Sequence, residues 1–456
     1  MVEKSEITIE ENENKVVDDL NEQVEDKFAA LKAQLEAKKQ KKQEQEVISI
    51  VEKKKKCFVF GVIGTGQGGG RVASTFYSEG NYPAIAINTA QQDLEFINLP
   101  ESNKLLLDSG AGIGGAAKDL DIGRKAAELN RDAIAELISD KLSKVDVYIL
   151  CTSLGGGSGA GSHEVILDIL SSTGIPIVVI SILPSSNEDV QTKQNALTTL
   201  ASLAKMTQNN VISNLFVVDN SKLEILYSNV SHQDFFTVAN KAIFSTIDVF
   251  NYFSIRSSLS KPLDSMEFLK ILIDGSGIGL CGEMDVTGFE NNDAILAQAA
   301  IESLENNLLA SGFNLDQAKF AGVIFAANEK SWKDVPHGAV DYCQAIIKEQ
   351  CPGNEGVYTG SYIDETVSDG VIKIYTMFSG LGLPDSRVTQ LQKEVETEKE
   401  KTKERAQTRN INLTVNLGKD VTVNKADEVR AKIQKNSSKF SQRFGSGAAV
   451  KDFRKK

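Results

Sequence analysis

Twice in this chain an apolar run empties into a cluster of glycines that opens directly into helical sequence. Cys57-Phe58-Val59-Phe60-Gly61-Val62-Ile63 leads into Gly64-Thr65-Gly66-Gln67-Gly68-Gly69-Gly70-Arg71. Val147 to Cys151 leads into Leu154-Gly155-Gly156-Gly157-Ser158-Gly159-Ala160-Gly161-Ser162. Glycines at such a junction let backbone N–H groups come close to a phosphate, and the N-terminus of the following helix adds a favourable dipole. One such loop is weak evidence, because dinucleotide-binding folds use one too. That fold, however, places an acid at the end of the next strand for the ribose hydroxyls, and here Asn88-Thr89 stands there. Two such loops in one sheet can hold two or three phosphates between them, with Ser158 donating from its hydroxyl. No GxxxxGK[ST] sequence occurs, which excludes a P-loop.

Further apolar runs at Ala84 to Ile87, Val145 to Cys151, Pro176 to Leu183 and Asn214 to Val218 alternate with stretches of helical character. Strands that are apolar throughout and alternate with helices imply a parallel sheet covered on both faces. A long helix is expected from about His232 to Phe253. A second α/β block follows, with strands at Ala321 to Ala326 and Val371 to Phe378 and a helix over Asn292 to Ala310. The ordered body is expected to finish near Pro384. Beyond it, Val388, Leu391 and Val395 have helical spacing, then a Glu/Lys run reads as a solvated helix or linker. Asn410 to Leu417 alternates apolar and polar residues in the manner of a hairpin or an added strand. Near the N-terminus, Val17, Leu20, Val24, Phe28, Leu31 and Leu35 share one helical face, as a solvated extension or a docking helix would.

Charge narrows the function classes. The 456 residues carry a net −12, yet residues 430–456 hold nine Lys or Arg against the single acid Asp452, leaving −20 for the remainder. An acidic body argues against generic nucleic-acid binding by the whole molecule. Five scattered cysteines without a CxxC pair indicate neither a zinc site nor a disulfide framework. The acidic N-terminus lacks a signal-peptide core and no run of 18 apolar residues occurs, so a cytoplasmic, reduced protein outside the membrane is expected. His163 reads as a helix-start residue and Trp332 as packing or interface.

The ordered motifs resemble the tubulin and FtsZ GTPases over about residues 57 to 383. Gly155 to Gly161 resembles that family's GGGTGTG or GGGTGSG signature, with Ser158 in place of Thr and Ala160 in place of Thr or Ser. Gly61 to Leu94, Gly110 to Gly115 with Asp121 to Ala127, and Gly360 to Gly380 are similar to further segments of FtsZ. The resemblance implies a GTP-binding domain at 57–230 made from a parallel sheet, a long central helix at 231–258 and a C-terminal α/β activation domain at 259–384. A charged helical extension at 1–56 and a charged linker and basic tail at 385–456 would flank them.

It also implies a set of nucleotide contacts for GTP or GDP, with Mg2+: Gln67, Gly68, Gly69, Gly70 and Arg71 with Asn88, then Gly112 and Gly114 near the γ-phosphate. Gly155, Gly156, Gly157, Ser158 and Gly159 would wrap the phosphates as well. Glu188 would bind ribose; the basic position four residues on is Thr192 here, with Lys193 adjacent. Asn220 would hydrogen-bond guanine, and the second base contact falls at Asn240 or Lys241. Asn240 is preferred because it can both donate and accept.

Leu263-Asp264-Ser265-Met266-Glu267-Phe268 resembles the family's catalytic loop, with Pro262 where an asparagine is usual. Asp264 and Glu267, three apart and on one helical face, would complete the nucleotide site of the next subunit. The same spacing is also a capping box.

The function implied is a GTPase that polymerises head to tail into filaments, with itself as first partner and an adaptor protein or DNA complex reached through the basic tail. The charged ends make it more similar to the divergent members of plasmids and large bacteriophages, the TubZ type, than to a division-ring FtsZ. The alternatives are a nucleotide-binding structural filament protein with little or no GTPase activity and a Rossmann-type oxidoreductase.

Overall fold

The structure, a computed structural model, describes residues 56–110, 114–290, 292 and 294–408. The stripe Val17 to Leu35, the alternating segment Asn410 to Leu417, the basic tail and Gly112 lie outside the described residues. The packing below is that of the described residues up to Glu398, where the first of two units ends.

In chain order the elements are β1 (Phe60–Thr65), α1 (Gly66–Gly80), β2 (Ala84–Asn88), α2 (Gln91–Glu95), β3 (Lys104–Leu106), α3 (Leu120–Leu129), α4 (Arg131–Lys141), β4 (Val147–Ser153), α5 (Ser158–Ser171), β5 (Ile177–Leu183), α6 (Val190–Gln208), β6 (Asn214–Asp219) and α7 (Asn220–Leu226). Then come α8 (Phe235–Phe253), α9 (Ser265–Leu269), β7 (Gly277–Val286), α10 (Ile295–Glu305), β8 (Phe320–Ala327), α11 (Glu329–Trp332), α12 (Ala339–Gln350), β9 (Gly356–Ile363), β10 (Ile372–Leu381) and α13 (Asp385–Thr408).

The described strands form one ten-stranded sheet in the order β3-β2-β1-β4-β5-β6-β7-β10-β8-β9. Pairing is parallel from β3 through β7. Beyond β7 it turns antiparallel at β10, which pairs β7 on one side and β8 on the other. Strands β1, β2, β5 and β6 are buried along their whole length. That accounts for their unbroken apolar sequences, since helices cover both faces of a parallel sheet. The α/β reading therefore stands, with the sheet running through both expected blocks.

Several elements differ from the sequence expectation, each for a local reason. The central helix starts at Phe235 rather than His232, because Ser231 and Asp234 bond to each other, Ser231 Oγ donating to Asp234 Oδ2 at 2.6 Å. The helix expected over Asn292 to Ala310 ends at Glu305. The Asn307 amide donates to the carbonyls of Ser303 and Leu304, and Leu309 then bridges Val218 as an antiparallel partner. Strand β7 is absent from the strands expected from sequence, and its glycines serve packing: a Cβ at Gly279 would lie 2.3 Å from the Phe216 ring and one at Gly282 2.1 Å from the Ser303 carbonyl oxygen. They are the residues that let helix and strand approach.

The expectation that the ordered body ends near Pro384 is corrected. Helix α13 begins at Asp385 and packs Leu391 and Val395 into the core, with Arg387 buried beside them. Its apolar positions are only three or four residues apart for two turns, a short stripe that the following Glu/Lys run masks in sequence.

Candidate functional site

The strand order 3-2-1-4-5-6 reverses direction between β1 and β4, and ligands in open α/β sheets bind outside the carboxyl ends of the strands at such a switch point. Both glycine loops sit there, at the ends of β1 and β4. Gly66 begins α1 at φ +68, a conformation other residues rarely adopt, and a Cβ on it would lie 3.1 Å from the Gly159 nitrogen. The two loops are therefore in backbone contact and open into one cleft of about 530 Å³. That volume lies within the roughly 300–1,000 Å³ of small-molecule sites.

The cleft is lined by Gln67, Gly68, Arg71 and Asn88, by Gly155 through Gly159 including Ser158, and by Glu188, Asn220 and Asn240. A set of residues far apart in the chain thus converges. Gly69 and Gly70 do not line it; a Cβ at Gly69 would strike the Cys151 carbonyl oxygen at 2.1 Å, so these two serve close packing of α1 on the sheet. Gly114 is exposed outside the lining. Of the two alternatives on α8, Asn240 faces the cleft, whereas Lys241 pairs with Glu79 at 3.0 Å. Lys193 also points elsewhere. It is buried against the Ser186 carbonyl and Glu398, each at 2.7 Å, leaving Thr192 at the cleft wall.

Polar groups in the cleft are mutually fixed. Asn88 donates to Asp93 at 3.1 Å and accepts from the Ala90 N–H at 3.2 Å, and Gln67 donates to the same aspartate at 3.3 Å. Thr89 and Ser158 share a hydroxyl bond of 2.5 Å. Ser185 donates its N–H to Glu188 Oε1 at 3.2 Å. Lys118 pairs with Asp189, whose carboxyl is lowered to about 2, chiefly by that lysine's hydrogen bond. Ala117 and Lys118 both have positive φ, so this wall of the cleft is held in an unusual backbone conformation.

Sequence reasoning passed over Asp93, Lys118, Phe235 and Phe236. Phe236 lies one helical turn before Asn240, so the spacing i, i+4 puts both on one face. The Arg71 guanidinium sits 4.8 Å from its ring centre.

Asp264 and Glu267 are not in the cleft lining. Asp264 caps α9, accepting from the Met266 and Glu267 N–H groups, and Glu267 accepts from the Asp264 N–H at 3.1 Å, a complete capping box. Phe268, directly after them, stacks 6.1 Å from Phe250 near the C-terminal end of α8. The cleft uses Phe235 to Ile243 at the other end of that helix. From Phe236 to Phe250 a helix rises about 20 Å. His163 is buried in α5, its ring facing the Ala160 carbonyl and Ser202, and the Trp332 indole donates to the Tyr362 carbonyl at 2.8 Å.

Residues 60–228, which contain both loops and the Asn220 junction, match the model of the Tubulin/FtsZ family, GTPase domain. Over those residues the chain is similar to the tubulin/FtsZ GTPases. Over 334 residues it is 27% identical to cell division protein FtsZ 2 of Methanocaldococcus jannaschii, covering 71% of this chain and 80% of that protein. Over 336 residues it is 26% identical to the tubulin-like protein CetZ of Pyrococcus abyssi, covering 70% and 85%. Among solved structures, a GTPγS-form protofilament of TubZ from Bacillus thuringiensis serovar israelensis superposes with a TM-score of 0.67 at 20% identity, over 78% of this chain and 95% of that one. At that identity the likeness speaks for the fold. This chain carries both glycine loops and a C-terminal helix, α13, whose Leu391 and Val395 are buried in its core. Among the described residues no helix is long and apolar enough to cross a membrane.

Proposed function

We propose that this chain is a GTP-binding, GTP-hydrolysing cytoskeletal protein that polymerises head to tail, hydrolysis being completed by Asp264 and Glu267 of the next subunit. The observation that carries this reading is the separation of the two acids from the cleft by most of the length of α8. Acids at one end and a nucleotide cleft at the other can meet only between copies, and a head-to-tail contact that does not close generates a filament. The TubZ relative is described as a protofilament in a GTPγS form, which supports both halves of the reading.

In this scheme the backbone of the two glycine loops cradles the phosphates, with Ser158 donating and Arg71 supplying charge. Glu188 takes the ribose, while Asn220 and Asn240 read the base beside the Phe236 ring. Burial pushes the Glu267 carboxyl above the usual carboxylate range, which suits a group that accepts a proton from the attacking water. No cluster of three or more metal-ligating side chains exists among the described residues. Mg2+ would thus be held mainly by the phosphates and water, as is usual for that ion. We assign the protein to the cytoplasm on the same reading.

Phosphate release per subunit should rise with protein concentration, because the site is completed by a neighbour; turnover independent of concentration would overturn the reading. Glu267→Gln should lower the assembled rate by about 100-fold or more while leaving GTP binding intact. A second reading is favoured by the capping box, which already engages both carboxylates: a nucleotide-binding filament protein with little hydrolysis. Unchanged phosphate release in Glu267→Ala would select it.

A further inference from the structure

Helix α13 is tied to the cleft by two buried cations. Arg387 is 3% exposed. Its guanidinium pairs with Asp219 Oδ2 at 2.9 Å and Glu394 Oε1 at 3.3 Å, and donates to the Pro184 carbonyl at 3.0 Å and Ser221 Oγ at 3.1 Å. Asp219 and Ser221 stand on either side of Asn220, and Pro184 opens the loop that carries Glu188. Lys193 adds a second tie, from the Ser186 carbonyl to Glu394 at 3.2 Å and Glu398 at 2.7 Å. Ser186 also donates its N–H to Ser221 Oγ at 3.0 Å and its hydroxyl to Glu394 at 2.9 Å. The loop after β5 and the junction after β6 are thereby joined to each other and to α13.

We propose that α13 is a strap that sets base selectivity, with Arg387 as a positioning residue for Asn220. The planar fork of Arg387 reaches four acceptors at once, a geometry that lysine cannot reproduce. It holds both neighbours of Asn220, so the side-chain amide presents one fixed donor and acceptor pattern to the base. A site built to hydrogen-bond its ligand rejects the wrong one strongly only while those polar groups are held in place. The bonds that join α13 to the loop after β5 and the junction after β6 reach Pro184, Ser186, Asp219 and Ser221, so the strap acts at the base and ribose end of the cleft. This inference rests on the nucleotide reading above and names the chain's own device for selecting the base.

The test is competition binding of GTP and ATP to the full-length protein, comparing wild type with Arg387→Gln and Ser221→Ala. Arg387→Gln should weaken GTP by about tenfold and ATP by no more than about twofold, narrowing the ratio between them. Ser221→Ala, a small change at one of the four acceptors, should narrow it in the same direction by about threefold. A ratio equal to wild type in both variants, whether the two affinities fall together or neither moves, would reduce α13 to a structural prop and overturn the proposal. If Arg387→Gln does not fold, the Ser221→Ala ratio decides alone. A wild-type protein without preference for GTP would remove the nucleotide reading itself, a result distinct from failure of the strap.

Discussion

Lys193 shows how a residue's role depends on which way its backbone turns. In sequence it neighbours the expected ribose-side position, yet the structure buries it, and Thr192 meets the cleft. Burial alone would push its ammonium down, but the bonds to Glu398 and Glu394 outweigh that and leave it raised. Those partners lie about 200 residues away, so no local pattern could have announced them. The Asp189 carboxyl, beside it, offers a direct measurement. Its depressed value is held chiefly by Lys118, so Lys118→Ala should bring it back toward the usual carboxylate range in a side-chain carbonyl NMR titration. The sign for stability follows: with the folded value near 2 and the unfolded one near 3.9, the interaction is fully present above about pH 4 and is lost as pH falls toward 2. A carboxyl that stays near 2 in the variant would assign the shift to the helix N-terminal N–H of Thr192 instead.

Among elements, the buried parallel strands and the two glycine loops were legible, because burial on both faces writes an apolar run and phosphate-type loops write glycines. What was not legible shares one cause. Strand β7 hides behind glycines needed for packing, and the docking of α13 on the body, though not its helical spacing, hides behind its charged second half; in each case the decisive partner is distant in sequence. The site divides in the same way. Gln67, Ser158, Glu188, Asn220 and Asn240 all line one cleft, whereas Gly69 and Gly70 belong to packing and Phe236 emerged only from the structure. If α13 is part of the body, Leu391→Ala should destabilise the protein by about 2–4 kcal/mol through the cavity it leaves. The exposed change Glu400→Ala on the same helix should stay within about 0.5 kcal/mol. Urea denaturation distinguishes them, and equal, negligible effects would mean that α13 is a solvated linker after all.

At the scale of the whole molecule, the −20 of the acidic remainder and the +8 of residues 430–456 take on meaning through repetition. A filament would present the basic segment once per subunit, so contacts that are weak singly would add by multivalency. We expect deletion of residues 424–456 to abolish bundling or binding to an adaptor and DNA complex, in a salt-sensitive manner, while GTP binding is unaffected. Co-sedimentation across a salt series would show it; bundling identical to the full chain would leave the basic segment without that role.

The continuous sheet has a mechanical consequence. A force pulling β1 to β6 away from β7 to β10 would cross the ladder that joins β6 to β7, and that ladder consists only of Asn214 with Gly277, Leu215 with Ile278 and Phe216 with Gly279. The ladders on either side are about twice as long or more. Two of the three positions on β7 are glycines, one of them seated against the Phe216 ring. Pulling force should therefore concentrate at this seam, making it the fuse at which a stretched subunit yields first.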